Sequence, residues 1–226
     1  MTLTCLIPAW NEAARIGGVL TAAVGHPLIG RTLVIDDGST DGTGDIARAA
    51  GVEVLRTPGN LGKTRALVMG LGRVTDGHVL LLDADLTGLS PGAITRLVQP
   101  VLSGRAYASL SLRGNAPRTW RAIGLDYITG ERVLPAALIL PHLDDFARLP
   151  RFGFEVYLNR LLIAAGQPVA VVGWPEVASP SKASKTGSLG AGLRADARMM
   201  RDIFRTIGPR ECLAQITALR RLRAAA

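Results

Sequence analysis

The sequence predicts an α/β fold: a mostly parallel sheet flanked by helices on both faces. Three observations carry that expectation. Four short apolar runs, at 3–8, 32–35, 52–55 and 79–82, alternate with helical stretches, and this alternation implies parallel neighbours joined by right-handed crossovers. The run Val79-Leu80-Leu81-Leu82 is apolar on both strand faces, as a central parallel strand is. It then breaks abruptly into Asp83-Ala84-Asp85. In an open α/β sheet ligands bind beyond the carboxyl ends of the strands, so both acids are expected at the ligand-binding edge.

Bulk properties narrow the function classes. A chain of 226 residues with 48% hydrophobic content can bury one good core, and residues 1–226 are expected to form one domain. The aromatic share is 4%, which disfavours stacking-based nucleic-acid binding. Of the net charge of +8, residues 182–226 contribute ten basic against three acidic side chains, a net +7. The remainder is nearly neutral, so no basic groove for nucleic acid crosses the fold. Cys5 and Cys212 are too few and too far apart for a disulfide framework, and Met1-Thr2-Leu3-Thr4 runs into a strand without a basic leader. Both point to a reducing, cytoplasmic setting. No apolar run approaches the ~20 residues of a membrane span.

Element by element, Leu3-Thr4-Cys5-Leu6-Ile7-Pro8 is a buried strand closed by proline, and Asn11 is placed to cap a helix beginning there. The strand at 32–35 ends in Asp36-Asp37-Gly38-Ser39-Thr40-Asp41-Gly42-Thr43, a turn and helix start in which Asp41 reads as a cap. After the third strand, Gly59-Asn60-Leu61-Gly62-Lys63 forms a loop before a helix over 64–74, and Ser90-Pro91 opens the next helix. Beyond Gly104 the pattern loosens: a strand at 106–112, helices over 118–128 and 154–165, and a last strand at 169–172. Residues 180–192, rich in Ser, Gly and Lys, read as a loop whose Lys182 and Lys185 can close over an anion. Residues 194–226 read as two basic helices broken at Gly208-Pro209.

Several residues carry chemistry. Asp83 and Asp85, one residue apart as the chain leaves a strand, can reach one divalent cation, and hard carboxylate oxygens suit Mg²⁺ or Mn²⁺. Such a cation most naturally holds a diphosphate; the bland alternative is a solvated turn. Adjacent buried carboxylates such as Asp36 and Asp37 cost stability without partners, so the pair is read as functional. Glu131 is either a general base or a surface partner of Arg132, and Glu155 either a proton acceptor among apolar neighbours or an ion-pair partner of Arg151 or Arg160. Thr57-Pro58-Gly59-Asn60-Leu61-Gly62-Lys63-Thr64 approaches a P-loop but has Thr where the first glycine belongs and follows the third strand. Leu213, Ile216, Leu219 and Leu222 recur at helical spacing among arginines, which suits a helix packed on the core or a peripheral membrane helix.

Four blocks together are more specific than any one: Pro8-Ala9-Trp10-Asn11-Glu12, Val34-Ile35-Asp36-Asp37-Gly38-Ser39-Thr40-Asp41-Gly42-Thr43, Asn60-Leu61-Gly62-Lys63 and Asp83-Ala84-Asp85. In this order and spacing they resemble the family 2 glycosyltransferases, the GT-A group that includes dolichyl-phosphate sugar synthases. The resemblance covers about the first half of the chain. In the second half, Thr129-Gly130-Glu131-Arg132 and Gly153-Phe154-Glu155-Val156 are similar to acceptor-side segments of family 2 relatives and of glucosyl-3-phosphoglycerate synthases.

The resemblance implies a GT-A fold with a nucleotide-sugar-binding half at 1–104, an acceptor-binding half at 105–192 and basic helices at 193–226. It implies that Pro8, Ala9, Asn11, Glu12, Asp36 and Asp37 hold the nucleotide, that Gly62 and Lys63 lie near the diphosphate, and that Asp83, Ala84 and Asp85 form the donor- and metal-binding motif. Asp85 then serves catalysis, with Glu155 or Glu131 taking a proton if the reaction inverts; a retaining course is equally open. The expected reaction moves a sugar from a nucleoside diphosphate donor to a hydroxyl or phosphate acceptor, small or lipid-linked, with Mg²⁺ or Mn²⁺. The site of action is cytoplasmic, with the basic C-terminus available for peripheral membrane contact. One departure stands out: where those synthases place a further metal-binding His, this chain has Val177-Ala178-Ser179-Pro180, and His26, His78 and His142 do not fit. The rival readings are therefore a non-catalytic nucleotide-sugar-binding module and, less favoured, a P-loop-like nucleotide hydrolase.

Overall fold

The computed structural model describes residues 2–149, 153–180 and 207–224. Its sheet has seven strands: β1 (Leu3–Ala9), β2 (Arg31–Asp36), β3 (Glu53–Arg56), β4 (His78–Leu81), β5 (Ala108–Arg113), β6 (Arg132–Pro135) and β7 (Val169–Trp174). They lie side by side in the order β3-β2-β1-β4-β6-β5-β7. The expected parallel half is present: β1 pairs parallel with β2 and β4, and β2 with β3. The four-residue strand β6 was not anticipated, and it runs antiparallel to both β4 and β5. Through it residues 129–132 are brought beside the end of β4.

Both faces of the sheet are covered, which explains the continuous apolar runs. Along β1, Leu6 joins one core with Leu33, Ile35, Leu67, Leu71, Leu81 and Phe154. Its neighbours Cys5 and Ile7 join the opposite core with Ile16, Leu20, Val34, Leu80, Ile94 and Trp174. Successive side chains of a strand point to opposite faces, so such a strand must be apolar throughout. The helices supplying the two cores are α1 (Ile16–Ala23), α2 (Thr43–Ala49), α3 (Lys63–Leu71), α4 (Pro91–Leu102), α5 (Arg118–Ile123), α6 (Ala136–Ile139), α7 (Leu143–Ala147), α8 (Gly153–Ala165) and α9 (Pro209–Arg221). Ser90 caps α4, accepting from the Ala93 amide at 3.2 Å, with proline at the first helical position as its sequence indicates.

Several boundaries depart from expectation. Helix α1 begins at Ile16, and Asn11 does not cap it; Asn11 is left-handed (φ 53°), and its side-chain oxygen accepts from the Thr40 amide at 2.8 Å. A short polar side chain that tolerates positive φ is spent on joining two loops. Helix α3 starts one residue early, at Lys63, and stops at Leu71 before Gly72. The helix expected over 118–128 ends at Ile123, where Gly124 takes φ 70° and turns Leu125, Asp126 and Tyr127 into the interior. Gly42, at φ 87°, and not Asp41 holds the N-cap position of α2; Asp41, one residue before it, accepts from the Thr43 and Ala13 amides, each at 3.0 Å.

The loop at 181–192 with Lys182 and Lys185, and the first of the two basic helices, lie outside the described residues. The second helix, α9, turns Cys212, Gln215 and Leu219 inward, while Leu213 is 65% exposed. Gln215 accepts from the Tyr127 hydroxyl at 2.7 Å, and Glu211 pairs with Arg160 of α8 at 2.6 Å. Most of the apolar stripe therefore packs on the body of the protein, the first of its two expected uses. Among the described residues no helix is long and apolar enough to cross a membrane. Cys5 and Cys212 are free and buried, and burial raises both thiol pKa values.

Candidate active site

The carboxyl ends of β1, β2 and β4 converge on one edge of the sheet, and the loops leaving them are tied together by backbone amides. Past β1, the Asn11 amide donates to Ser39 Oγ at 3.0 Å and the Glu12 amide to Thr43 Oγ1 at 2.8 Å. Past β2, Asp36 is fully buried; it accepts from the Ser39 amide at 2.9 Å and from Arg56 Nη1 at 2.7 Å. Asp37 accepts from Thr57 Oγ1 at 3.0 Å and from the Leu61 and Gly62 amides at 2.9 and 2.7 Å. The two buried carboxylates thus have the partners their burial demands. Gly38 joins these loops: at φ 71° an added Cβ would lie 2.6 Å from the Gly59 backbone, so only glycine fits.

This arrangement weakens the P-loop reading. A P-loop leaves its backbone amides open to phosphate. Here the Leu61 and Gly62 amides are held by Asp37. The loop instead delivers Lys63, whose Nζ lies 2.6 Å from Asp83 Oδ1 and 3.6 Å from Glu155 Oε1. Burial works against the charged ammonium, but Asp83 and Glu155, with Glu131 farther off, outweigh it and raise the lysine pKa above its ordinary value. For Asp83, burial pushes the pKa up, yet the Lys63 charge and hydrogen bond, aided by Arg113, bring it below the usual carboxylate range. Arg160 is engaged by Glu211, so Glu155 finds its cation in Lys63; Arg151 lies outside the described residues.

Asp85 has the opposite bias. Burial, then the neighbouring Asp83 and Glu12, raise its carboxyl pKa, against a hydrogen bond from Ser179 and the charge of Lys63. Ser179 Oγ donates to Asp85 Oδ1 at 3.3 Å and meets Arg113 Nη1 at 2.5 Å. The segment bearing Ser179 is fixed by a two-way backbone pairing of Thr87 with Ala178 (2.8 and 3.0 Å) and by Asn115 Nδ2 donating to the Ser179 carbonyl at 2.5 Å. Arg113, at the end of β5, also faces Asp126 Oδ2 and Glu131 Oε1, each at 3.5 Å. Glu131 is fully buried, and its Oε2 accepts from Ser111 and Thr129, each at 2.7 Å. It does not pair with Arg132 at the surface. Arg132 is itself buried, donating to the Thr129 and Tyr127 carbonyls and to Asn159 Oδ1.

Gly130 lies directly over the Lys63–Asp83 pair. A Cβ there would sit 2.8 Å from both Asp83 carboxylate oxygens and from Lys63 Nζ. Gly130→Ala is therefore expected to displace the pair and weaken nucleotide-sugar binding by at least about tenfold, with a stability loss of only about 1 kcal/mol. Ligand titration beside denaturant unfolding measures both; unaltered binding would show that the pair is not part of the donor site.

The glycosyl transferase family 2 model matches residues 4–148, which contain every element described so far at this edge of the sheet except α8 and the Ser179 segment. The chain belongs to glycosyl transferase family 2. Among curated relatives, the 4,4'-diaponeurosporenoate glycosyltransferase of Staphylococcus aureus strain USA300 is 35% identical over 101 residues, covering 42% of this chain and 27% of that protein. The chain thus matches about a quarter of the length of that relative. Among solved structures, glucosyl-3-phosphoglycerate synthase from Mycobacterium tuberculosis, in complex with Mn²⁺, UDP-glucose and phosphoglyceric acid, superposes with a TM-score of 0.62 at 25% identity, over 79% of this chain and 71% of that one. The same synthase with Mn²⁺ and UDP-glucose gives a TM-score of 0.66 over 92% of this chain and 79% of that one; at 24% identity this likeness speaks for the shared GT-A fold.

In this family 2 domain, the residues singled out by sequence fall into two groups. Pro8, Ala9, Asn11, Glu12, Asp36, Asp37, Gly62, Lys63, Asp83, Ala84, Asp85 and Glu155 lie at or beside the carboxyl edge of the sheet, while Glu131 lies beneath it. Sequence reasoning did not single out Arg113 or Asp126, and it quoted Thr129 and Ser179 only within longer segments; Arg113 and Ser179 link Glu131 to Asp85. The signal for Arg113 was its place as a lone arginine closing Ala108-Ser109-Leu110-Ser111-Leu112, a segment whose serines are fully buried. Trp10 was quoted but given no role; it is 51% exposed on the loop after β1, where an aromatic face lies open to solvent.

Proposed function

We propose that this domain transfers a sugar from a nucleoside diphosphate sugar to a small-molecule acceptor bearing a hydroxyl or phosphate, with a divalent cation held by Asp83 and Asp85. The observation that carries the reading is the carboxylate pair leaving β4 with Lys63 beside it. The donor set fits a hard cation: each Asp has one oxygen engaged, Asp83 Oδ1 by Lys63 and Asp85 Oδ1 by Ser179. Among the described residues no group of three or more His, Cys, Asp or Glu is arranged to hold a metal ion, and in this reading the diphosphate and water complete the ligand set of the Asp83–Asp85 pair. A bound Mg²⁺ or Mn²⁺ supplies charge neutralisation of the departing diphosphate.

The chain's own residues do the rest. Asp36 and Asp37 shape the nucleotide pocket by holding the loops after β2 and β3, leaving the loop at Pro8–Glu12 to meet the nucleoside. Asp37 sets the Gly62–Lys63 corner, from which the lysine can turn its charge to the diphosphate. Glu155, 10% exposed on its side chain and in the first turn of α8, is the carboxylate placed to take a proton from a hydroxyl acceptor. A phosphate acceptor needs no base. As the acceptor oxygen bonds to the anomeric carbon, the bond from that carbon to the diphosphate oxygen breaks and its electron pair leaves with the nucleoside diphosphate.

Thermal shift with a panel of nucleoside diphosphate sugars, with and without Mn²⁺, tests the donor site. A ligand at 100 times its dissociation constant adds about 2.7 kcal/mol. Stabilisation by one donor that requires Mn²⁺, followed by sugar release or transfer, supports the enzyme; binding with no turnover for any acceptor supports the non-catalytic module instead. Lack of stabilisation by every donor would overturn both.

A further inference from the structure

The Lys63 ammonium stands where a cation approaching Asp83 would be drawn. Its Nζ is 2.6 Å from Asp83 Oδ1, and Glu155 Oε1 holds it from the other side at 3.6 Å. Gly130 closes over the pair, with space for no side chain between. Asp83 already has a full positive charge in contact, supplied by the protein itself, while Asp85 beside it has only a serine hydroxyl. A divalent cation held at Asp83 would meet the Lys63 charge within a few ångströms, where repulsion is strong even in a partly wet site. The lysine is not locked in place: its side chain is 41% exposed, on a flexible four-carbon stem.

We infer that Lys63 is a built-in counter-ion that keeps the Asp83–Asp85 pair from taking up a divalent cation until a diphosphate arrives. The arriving diphosphate is the stronger attractor for the ammonium. Lys63 exchanges Asp83 for a diphosphate oxygen, and the vacated Asp83 oxygen becomes available to the cation that the diphosphate brings with it. Glu155, 3.6 Å from the ammonium, is close enough to hold it while it changes partners. The order of binding is thereby built into the site: free metal is excluded, and metal and donor enter together. This inference rests on the donor-site reading above and adds to it a rule for loading.

Mn²⁺ binding to the full chain, followed by isothermal titration calorimetry, tests it, first with Mn²⁺ alone and then with a panel of nucleoside diphosphates. Lys63→Met removes the charge and keeps the stem; Lys63→Arg keeps the charge; Lys63→Gln is a second neutral variant. Both neutral variants are expected to bind Mn²⁺ alone at least about tenfold more tightly than wild type, and Lys63→Arg to match wild type. With the nucleoside diphosphate that binds best, the order reverses and wild type binds the pair most tightly. Neutral variants that bind free Mn²⁺ no better than wild type would overturn the exchange. If wild type still binds a diphosphate in a metal-dependent way, the donor site survives that result; if it binds none, the donor site falls as well.

Discussion

Asp85→Asn is expected to slow sugar transfer about 10²–10³-fold while making the metal-free protein more resistant to heat. The two effects share a cause. Burial, with Asp83 and Glu12 nearby, raises the Asp85 carboxyl pKa, so the charged form is held at a cost at neutral pH. Asparagine removes that charge and still accepts from Ser179 through its amide oxygen, so the local hydrogen bond survives. Loss of one electrostatic support for a leaving group costs about 10²–10³ in kcat. The stability gain has a definite pH signature. A carboxyl whose pKa is raised by folding takes up its proton more readily in the native state, so the wild type is favoured at acid pH. It loses that advantage as pH rises from the ordinary carboxylate value of about 4 through the raised one. Asparagine does not titrate, so the melting-temperature gap between variant and wild type should open as pH rises from about 4 through the raised value. Melting curves in chelator across that range, beside turnover with Mn²⁺, provide the check. Equal melting temperatures at neutral pH would show that the carboxylate is not held under strain.

That trade-off was legible in the sequence only in part. The abrupt change from Leu82 to Asp83-Ala84-Asp85 marked the ligand edge, because four apolar residues can lie together only where both sheet faces are covered, and two acids can follow only where the cover ends. The adjacent Asp36 and Asp37 were legible as a pair needing partners. Their partners were not, because Arg56, Thr57 and the Leu61 and Gly62 amides are 20 or more residues away in the chain and meet them only through the β2–β3 register.

Strand β6 was hidden for a different reason. Its first residue, Arg132, and the preceding Glu131 are both charged, and a charged pair beside a glycine reads as surface. Both are instead fully buried because each finds several partners that no local pattern reveals. Ser109 and Ser111 alternate with leucine in a strand expected at 106–112, and nothing in the sequence signals what their side chains meet. Ser109 Oγ donates to the Leu97 carbonyl at 2.6 Å and Ser111 supports Glu131, so both serve a polar interior. Helix capping failed at Asn11 because long-range loop contacts claimed its side chain, whereas Ser90 Oγ accepts from the Ala93 amide of its own helix and the local rule held.

Removal of Glu131 should distinguish a carboxylate that reacts from one that supports. Its side chain has no exposed surface, and its two oxygens are taken up by Ser111, Thr129 and Arg113. Glu131→Ala would remove one of the carboxylates facing the Arg113 charge, leaving Asp126 in contact with it, and would take from the hydrogen-bonded Ser111 and Thr129 hydroxyls the carboxylate both donate to. Breaking a buried ionic contact in this way costs about 3–5 kcal/mol, the largest stability effect expected at any position considered for the site. Glu131→Gln should cost less, because the hydroxyls can rotate to meet the amide, and it should keep most of its turnover with an unchanged pH profile. Through Arg113 and Ser179 the same substitution reaches Asp85, so a supporting Glu131 should shift metal-dependent donor affinity more than it shifts the chemical step. Denaturant unfolding with paired kcat and KM measurements reads both. A glutamine variant of native stability whose kcat collapses, and whose pH profile loses its acidic limb, would instead make Glu131 the proton acceptor and leave Glu155 to serve only as the second anchor of Lys63.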